Sequence, residues 1–194
     1  MTFTLIFLLG LALSVATRYY LASRHMRHIA LHRDQVPAEF ASKVTITDHH
    51  KAADYTMTKL RLGLFEIALS VAILIGFTLL GGLQLMHDFT LDLMGPGIPQ
   101  QIALLVSISL ITGIIDLPFS WHRQFGIEEK FGFNKSTKKL FFQDAIKQLL
   151  ISLAVGLPLL YAVAWIYQEL QSQFWIIAWA LFAVFSLFMF VFGT

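Results

Sequence analysis

The segment Leu117-Pro-Phe-Ser-Trp-His-Arg-Gln-Phe-Gly-Ile-Glu-Glu-Lys-Phe-Gly-Phe-Asn-Lys-Ser-Thr-Lys-Lys-Leu-Phe-Phe-Gln-Asp144 is a dense charged island in an apolar chain. On its N-terminal side lies the apolar run Ile98–Trp121, and on its C-terminal side Ile146–Tyr167. A membrane-spanning helix needs about 20 mostly apolar residues, and both runs meet that length. The charged segment is therefore a connection between two spans. Three further runs pass the same test: Phe3–Ala22, Leu62–Met86 and Phe174–Phe192. The fold class expected is all-α, a polytopic membrane protein with about five transmembrane helices.

Composition supports that class. Hydrophobic residues make up 57% of the 194, charged residues only 13%, and mean hydropathy is +0.69. A soluble globular domain carries about 25% charged residues. A single membrane domain, residues 1–194, fits the length. With no cysteine in the chain, disulfides and Cys-ligated zinc are excluded. Met1-Thr-Phe-Thr4 carries no cation ahead of the first apolar run, and Arg18, Arg24 and Arg27 follow it. That order suggests an uncleaved first span with its N-terminus outside. Arg18 must then sit near the end of this span and snorkel to the interface.

All 14 lysines and arginines lie in or beside two connections, 23–61 and 122–145. The connections 87–97 and 168–173 hold Asp88, Asp92 and Glu169 instead. The positive-inside rule makes both basic connections cytoplasmic, with the N-terminus outside and Thr194 on the cytoplasmic side. The cations interleave with Met26, Ile29 and Leu31 as a headgroup-facing stretch would, so the partner expected is the lipid bilayer and not nucleic acid. Pro37 predicts a short helix over Ala38–Lys43. Thr47 or Asp48 is expected to cap a helix of roughly 33–38 residues, about 50 Å long, running into the second span. Asn134 or Ser136 is expected to cap the helix entering the fourth. Pro118 and Pro158 predict kinks in the third and fourth spans.

Zinc peptidase chemistry needs two imidazoles one helical turn apart and a carboxylate to activate water, the His-Glu-x-x-His pattern. His25, His28 and His32 have helical spacing, but no Glu follows the first His of either pair. The adjacent His49 and His50 point to different helix faces, and His87 and His122 stand alone. No catalytic or metal-ligating residue is assigned. Glu128 and Glu129 read as partners for Lys130, Lys135 or a neighbouring loop. Glu66, Asp116 and Lys147 fall at comparable depth in the cytoplasmic half of the membrane, where an unpaired charge costs several kcal/mol. They are expected to form an intramembrane polar cluster, lining an aqueous cavity or snorkelling singly.

The order Ile127, Glu128, Glu129, Lys130, Phe131, Gly132, Phe133, Asn134, Lys135, Ser136, Thr137, followed by Leu140-Phe141-Phe142 and Asp144, resembles the signature loop of the CAAX prenyl protease 1 family. His50–Tyr55 and Gly156-Leu157-Pro158-Leu159 are similar to bacterial members of that family. The resemblance covers essentially the whole chain. It implies the N-terminal integral-membrane domain of a zinc metalloendopeptidase, residing in a bacterial inner membrane. It also implies a helical barrel around an intramembrane chamber, completed by C-terminal helices this chain lacks. Zinc, the catalytic His-Glu-x-x-His and the peptide or membrane-protein substrate would belong to the full-length enzyme, so the chain alone is expected to be inactive. The alternative is a non-enzymatic channel, transporter subunit or scaffold.

Overall fold

The computed structural model describes residues 2–170 and 173–192. Among the described residues every regular element is a helix, in the order α1 Thr2–His32, α2 Ile46–Thr78, α3 Gly82–Met94, α4 Ile98–Trp121, a π-helical segment His122–Glu128, α5 Glu129–Phe131, α6 Lys138–Leu170 and α7 Phe174–Phe192. Five helical stretches are long and apolar enough to cross a membrane. The expected end at Thr194, and Gln171-Ser172 of the last connection, lie outside the described residues. An all-helical chain is what hydrocarbon demands, because each backbone donor and acceptor must be satisfied within its own segment.

The chain divides into two compact units, Met1–Gln84 with Thr112–Lys135, and Leu85–Ile111 with Ser136–Thr194. In the first unit α1 packs on α2. The half-buried positions of α1 are Phe7, Leu11, Val15, Tyr19, Ala22, Met26 and Ile29, spaced by three or four. That spacing draws one seam along a helix. At mid-seam the Tyr19 hydroxyl donates to the Leu64 carbonyl at 2.7 Å. The 31 residues of α1 and 33 of α2 reach about 46 and 50 Å at 1.5 Å per residue, well past the roughly 30 Å hydrocarbon core. Both helices therefore carry polar extensions. There Arg33 pairs with Asp54 at 2.8 Å and His50 lies 2.9 Å from Asp34, tying the end of α1 to the start of α2.

Local chemistry shifts several expected boundaries. The cap of α2 is Thr45: its hydroxyl accepts from the Asp48 amide at 3.1 Å and donates to the Asp48 carboxylate at 2.7 Å. This capping pair recruits a residue ahead of Thr47. The fourth apolar run is likewise entered from Thr137, whose hydroxyl accepts from Leu140 N–H at 3.2 Å, one residue beyond Ser136. Ala38–Lys43 is not a helix. It closes four-residue turns, Phe40 N–H to Pro37 O and Lys43 N–H to Phe40 O, each 2.9 Å, because a six-residue stretch cannot offset the cost of helix nucleation. The helix of the second apolar run stops at Thr78 instead of continuing to Met86. Gly81 takes φ 83°, and a Cβ on Gly82 would lie 2.8 Å from the Gly76 carbonyl oxygen. Only glycine permits that reversal.

In the second unit α3 leads to α4 through Gly95-Pro96-Gly97. Thr90 and Gln100 are buried and joined by a hydrogen bond from Gln100 Nε2 to Thr90 Oγ1 at 3.2 Å. Thr90 Oγ1 itself donates to the carbonyls of Met86 and His87, so both groups are satisfied. Pro118 and Pro158 lie inside α4 and α6, which continue through them. On α7 the large apolar side chains Trp175, Trp179, Phe182, Leu187 and Phe190 are exposed, as a lipid-facing helix requires.

Candidate functional site

The charged island is mostly helical, not an open loop. Beyond Trp121 the helix widens into the π-helical turn His122–Glu128, tightens again over Glu129–Phe131 and stops at Gly132. Gly132 sits at φ 79°, its N–H bonded to the Glu129 carbonyl at 3.0 Å, while Phe133 N–H reaches the Glu128 carbonyl at 2.8 Å. This is a Schellman ending, with glycine at the left-handed position. π-Helical turns shift the register of the side chains that follow. Here Ile127 and Phe131 are buried at 2% and 7% exposure, while Glu129 and Lys130 face outward.

The island docks on the polar extension of α2. The Tyr55 ring meets Phe131 and Phe133 edge-on, with centroids 5.4 and 5.0 Å away. Such edge-to-face pairs add about 0.5–1.5 kcal/mol beyond area burial. The Tyr55 hydroxyl donates to Glu128 Oε1 at 2.6 Å, and Lys59 Nζ donates to the same hydroxyl at 3.0 Å while lying 3.6 Å from Oε1. Lys51 Nζ stands 5.5 Å from the Phe133 ring centre. Within the island, Gln124 Nε2 donates to Asn134 Oδ1 at 2.7 Å, holding the chain after Gly132 back against the π-helical turn. Two turns beyond Lys59 on α2, Glu66 pairs with Arg123 at 2.5 Å.

The partners of Glu128 thus lie at Tyr55 and Lys59, in the neighbouring 23–61 connection, which the structure folds into α2, and not at Lys130 or Lys135. Tyr55, Lys59 and Glu66 follow at intervals of four and seven residues, one face of a helix. That spacing was the available signal for the docking partners, and Tyr55, Lys59 and Arg123 went unassigned from sequence. Of the polar trio, Glu66 is half-buried and takes Arg123; Asp116 is exposed and has no ion pair among the described residues; Lys147 is exposed on α6, in the second unit.

Glu128 is engaged by the Tyr55 hydroxyl and the Lys59 ammonium, contacts that hold the island on α2. Among the described residues no group of three or more His, Asp or Glu side chains is placed to hold a metal ion. His28 and His32 stack at 4.2 Å, but His32 Nδ1 is 2.9 Å from the His28 carbonyl and His49 Nε2 is 3.1 Å from the His32 carbonyl. One ring nitrogen of His32 and one of His49 thus face backbone carbonyls. These residues do not fit a zinc site.

The comparisons with known proteins agree with this architecture. Residues 25–193 match the family described as CAAX prenyl protease N-terminal, five membrane helices. The chain is 27% identical over 176 residues to CAAX prenyl protease 1 of Saccharomyces cerevisiae, covering 85% of this chain and 38% of that protein. It is 31% identical over 161 residues to the CAAX prenyl protease 1 homolog of Caenorhabditis elegans, covering 81% and 35%. The crystal structure of S. mikatae Ste24p superposes with a TM-score of 0.84 at 26% identity, over 95% of this chain and 44% of that one. The chain thus spans less than half the length of the relatives it matches. Its five apolar helical stretches and their docked signature segment correspond to the N-terminal membrane portion of those proteins, and the chain belongs to the CAAX prenyl protease N-terminal family.

Proposed function

We propose that this chain is the membrane-wall portion of a CAAX prenyl protease-like zinc metalloendopeptidase, with the zinc ligands and the hydrolytic groups supplied from outside these 194 residues. The observation that carries the reading is the extent of the structural likeness, a TM-score of 0.84 over 95% of the chain. It is supported by the long α2 and its docked signature segment, whose ties serve position rather than catalysis. In this reading Glu66 and Asp116 of the first unit face an intramembrane chamber, and the basic connections lie on the cytoplasmic side of a bacterial inner membrane. The peptidase portion and a C-terminal peptide or membrane-protein substrate are the partners.

The test compares two preparations in micelles: the 194-residue chain, and the complete gene product that carries it. The chain alone is expected to bind zinc well below one equivalent by elemental analysis and to leave a farnesylated CAAX peptide intact. The complete product is expected to cleave that peptide and to stop when a chelator is added. Stoichiometric zinc in the chain alone would overturn the assignment of the chemistry elsewhere. A complete product with neither zinc nor cleavage would favour a channel, transporter subunit or scaffold.

A further inference from the structure

The α1–α2 seam opens on one side into a groove of about 450 Å³, within the first unit. That volume lies inside the roughly 300–1,000 Å³ range of small-molecule sites. The groove is graded along its length. Arg18 and Glu66 line one end, Ser14 and Ser70 the middle, and Leu11 and Leu74 the other end. From Arg18 to Leu11 is seven helical residues, about 10 Å at 1.5 Å per residue.

The charges at the polar end do not cancel. Glu66 is already compensated by Arg123 at 2.5 Å, whereas Arg18 has no hydrogen-bond or ion-pair partner among the described residues. A lone guanidinium at the edge of the hydrocarbon costs free energy unless an anion or water meets it. In the middle, the Ser70 hydroxyl donates to the Glu66 carbonyl at 2.8 Å and keeps only acceptor capacity. The Ser14 hydroxyl is left to donate toward an ester oxygen.

We propose that this groove binds one anionic glycerophospholipid. Its phosphate sits on Arg18, its glycerol ester region lies between Ser14 and Ser70, and an acyl chain runs along Leu11 and Leu74. The order of charge, hydroxyl and hydrocarbon in the groove is that of such a lipid. The net charge of +1 from Arg18, Arg123 and Glu66 matches one phosphodiester carrying no compensating choline. Arg suits the contact because its planar fork offers two parallel donors to phosphate.

The test measures equilibrium binding of dioctanoyl-phosphatidylglycerol to the full chain in micelles. Dioctanoyl-phosphatidylcholine, sn-glycerol 3-phosphate and inorganic phosphate serve as parallel probes. Phosphatidylglycerol is expected to bind at least about tenfold tighter than phosphatidylcholine, whose choline cation meets the uncancelled charge of Arg18, and the two soluble phosphates not measurably, since they lack the acyl chain. Arg18→Gln should weaken phosphatidylglycerol binding about tenfold or more, Arg18→Lys less, and Arg24→Gln, outside the groove, not at all. Leu74→Trp should weaken it by filling the acyl end. Equal affinity for the two lipids, or an undiminished affinity in Arg18→Gln, would overturn the proposal. Binding of inorganic phosphate as tightly as the lipid would make this a soluble-anion site and overturn it equally. Should Arg18→Gln fail to fold, Leu74→Trp decides: unchanged phosphatidylglycerol binding in that variant rejects the groove.

Discussion

Tyr55 is the residue on which the signature segment rests. Its hydroxyl serves Glu128 and Lys59 at 2.6 and 3.0 Å, and its ring meets both Phe131 and Phe133. Tyr55→Phe keeps the ring contacts and removes only the hydroxyl, leaving Glu128 with Lys59 alone. We expect a loss of about 1.5–3 kcal/mol, from the worth of a hydrogen bond to a charged acceptor. Unfolding in mild detergent would measure it, and a variant as stable as the parent would show the bond to be dispensable. Glu66 and Arg123 offer a second residue-level measurement. Glu66→Gln and Arg123→Gln should each destabilise, with a coupling energy of about 0.5–1.7 kcal/mol in a double-mutant cycle, the upper range for polar pairs in membrane proteins. Coupling near zero would mean that the 2.5 Å contact contributes nothing.

At the scale of the element, α2 joins everything in the first unit. One side receives α1 along the seam, and the face of Tyr55, Lys59 and Glu66 receives the π-helical turn and α5. Two local devices set this geometry, the Thr45 cap and the left-handed Gly132. Gly132→Ala forces a Cβ into the left-handed region, which costs about 1–2 kcal/mol. It should release Phe133 and Asn134 from their places, so hydrogen exchange at the amides of residues 132–134 should rise while that of mid-α2 stays slow. Unchanged protection across residues 132–134 would refute the idea that the Schellman ending holds the docked segment. Thr45→Ala should cost about 0.5–2 kcal/mol, as loss of a helix cap does. Exchange should rise in the first turn of α2, and unaltered protection there would remove the cap from the account.

At the scale of the whole molecule, the placement of the cations sets the expected sidedness. The chain contains no cysteine, so single-cysteine variants report accessibility without background. The positive-inside reading expects Lys43→Cys to react with an impermeant maleimide only from the cytoplasmic side. Asp92→Cys, in a connection without lysine or arginine, should react only from the opposite side. Labelling of both from one side would reverse or break the proposed topology.

Much of this architecture is written in the order of residues. Apolar run length separates the membrane helices, since a bilayer of fixed thickness sets the same requirement wherever the run occurs. The third run, Ile98–Trp121, coincides with α4, and the fifth, Phe174–Phe192, with α7. The order of residues from Ile127 to Asn134 carried the family, because that mixture of charge, aromatic ring and glycine does not follow from hydropathy. Other features depended on partners distant in sequence. Nothing near Glu128 announces Tyr55, 73 positions earlier, and Arg123 meets Glu66, 57 positions earlier, only across helices. The end of α2 at Thr78 also escaped the hydropathy reading, because Gly81 and Gly82 change the apolar average little while permitting a backbone reversal. Membrane crossing is a sum over neighbours in the chain, which sequence alone can supply. The docked signature and the graded groove of Arg18 are pairings across helices, and tertiary packing alone decides them.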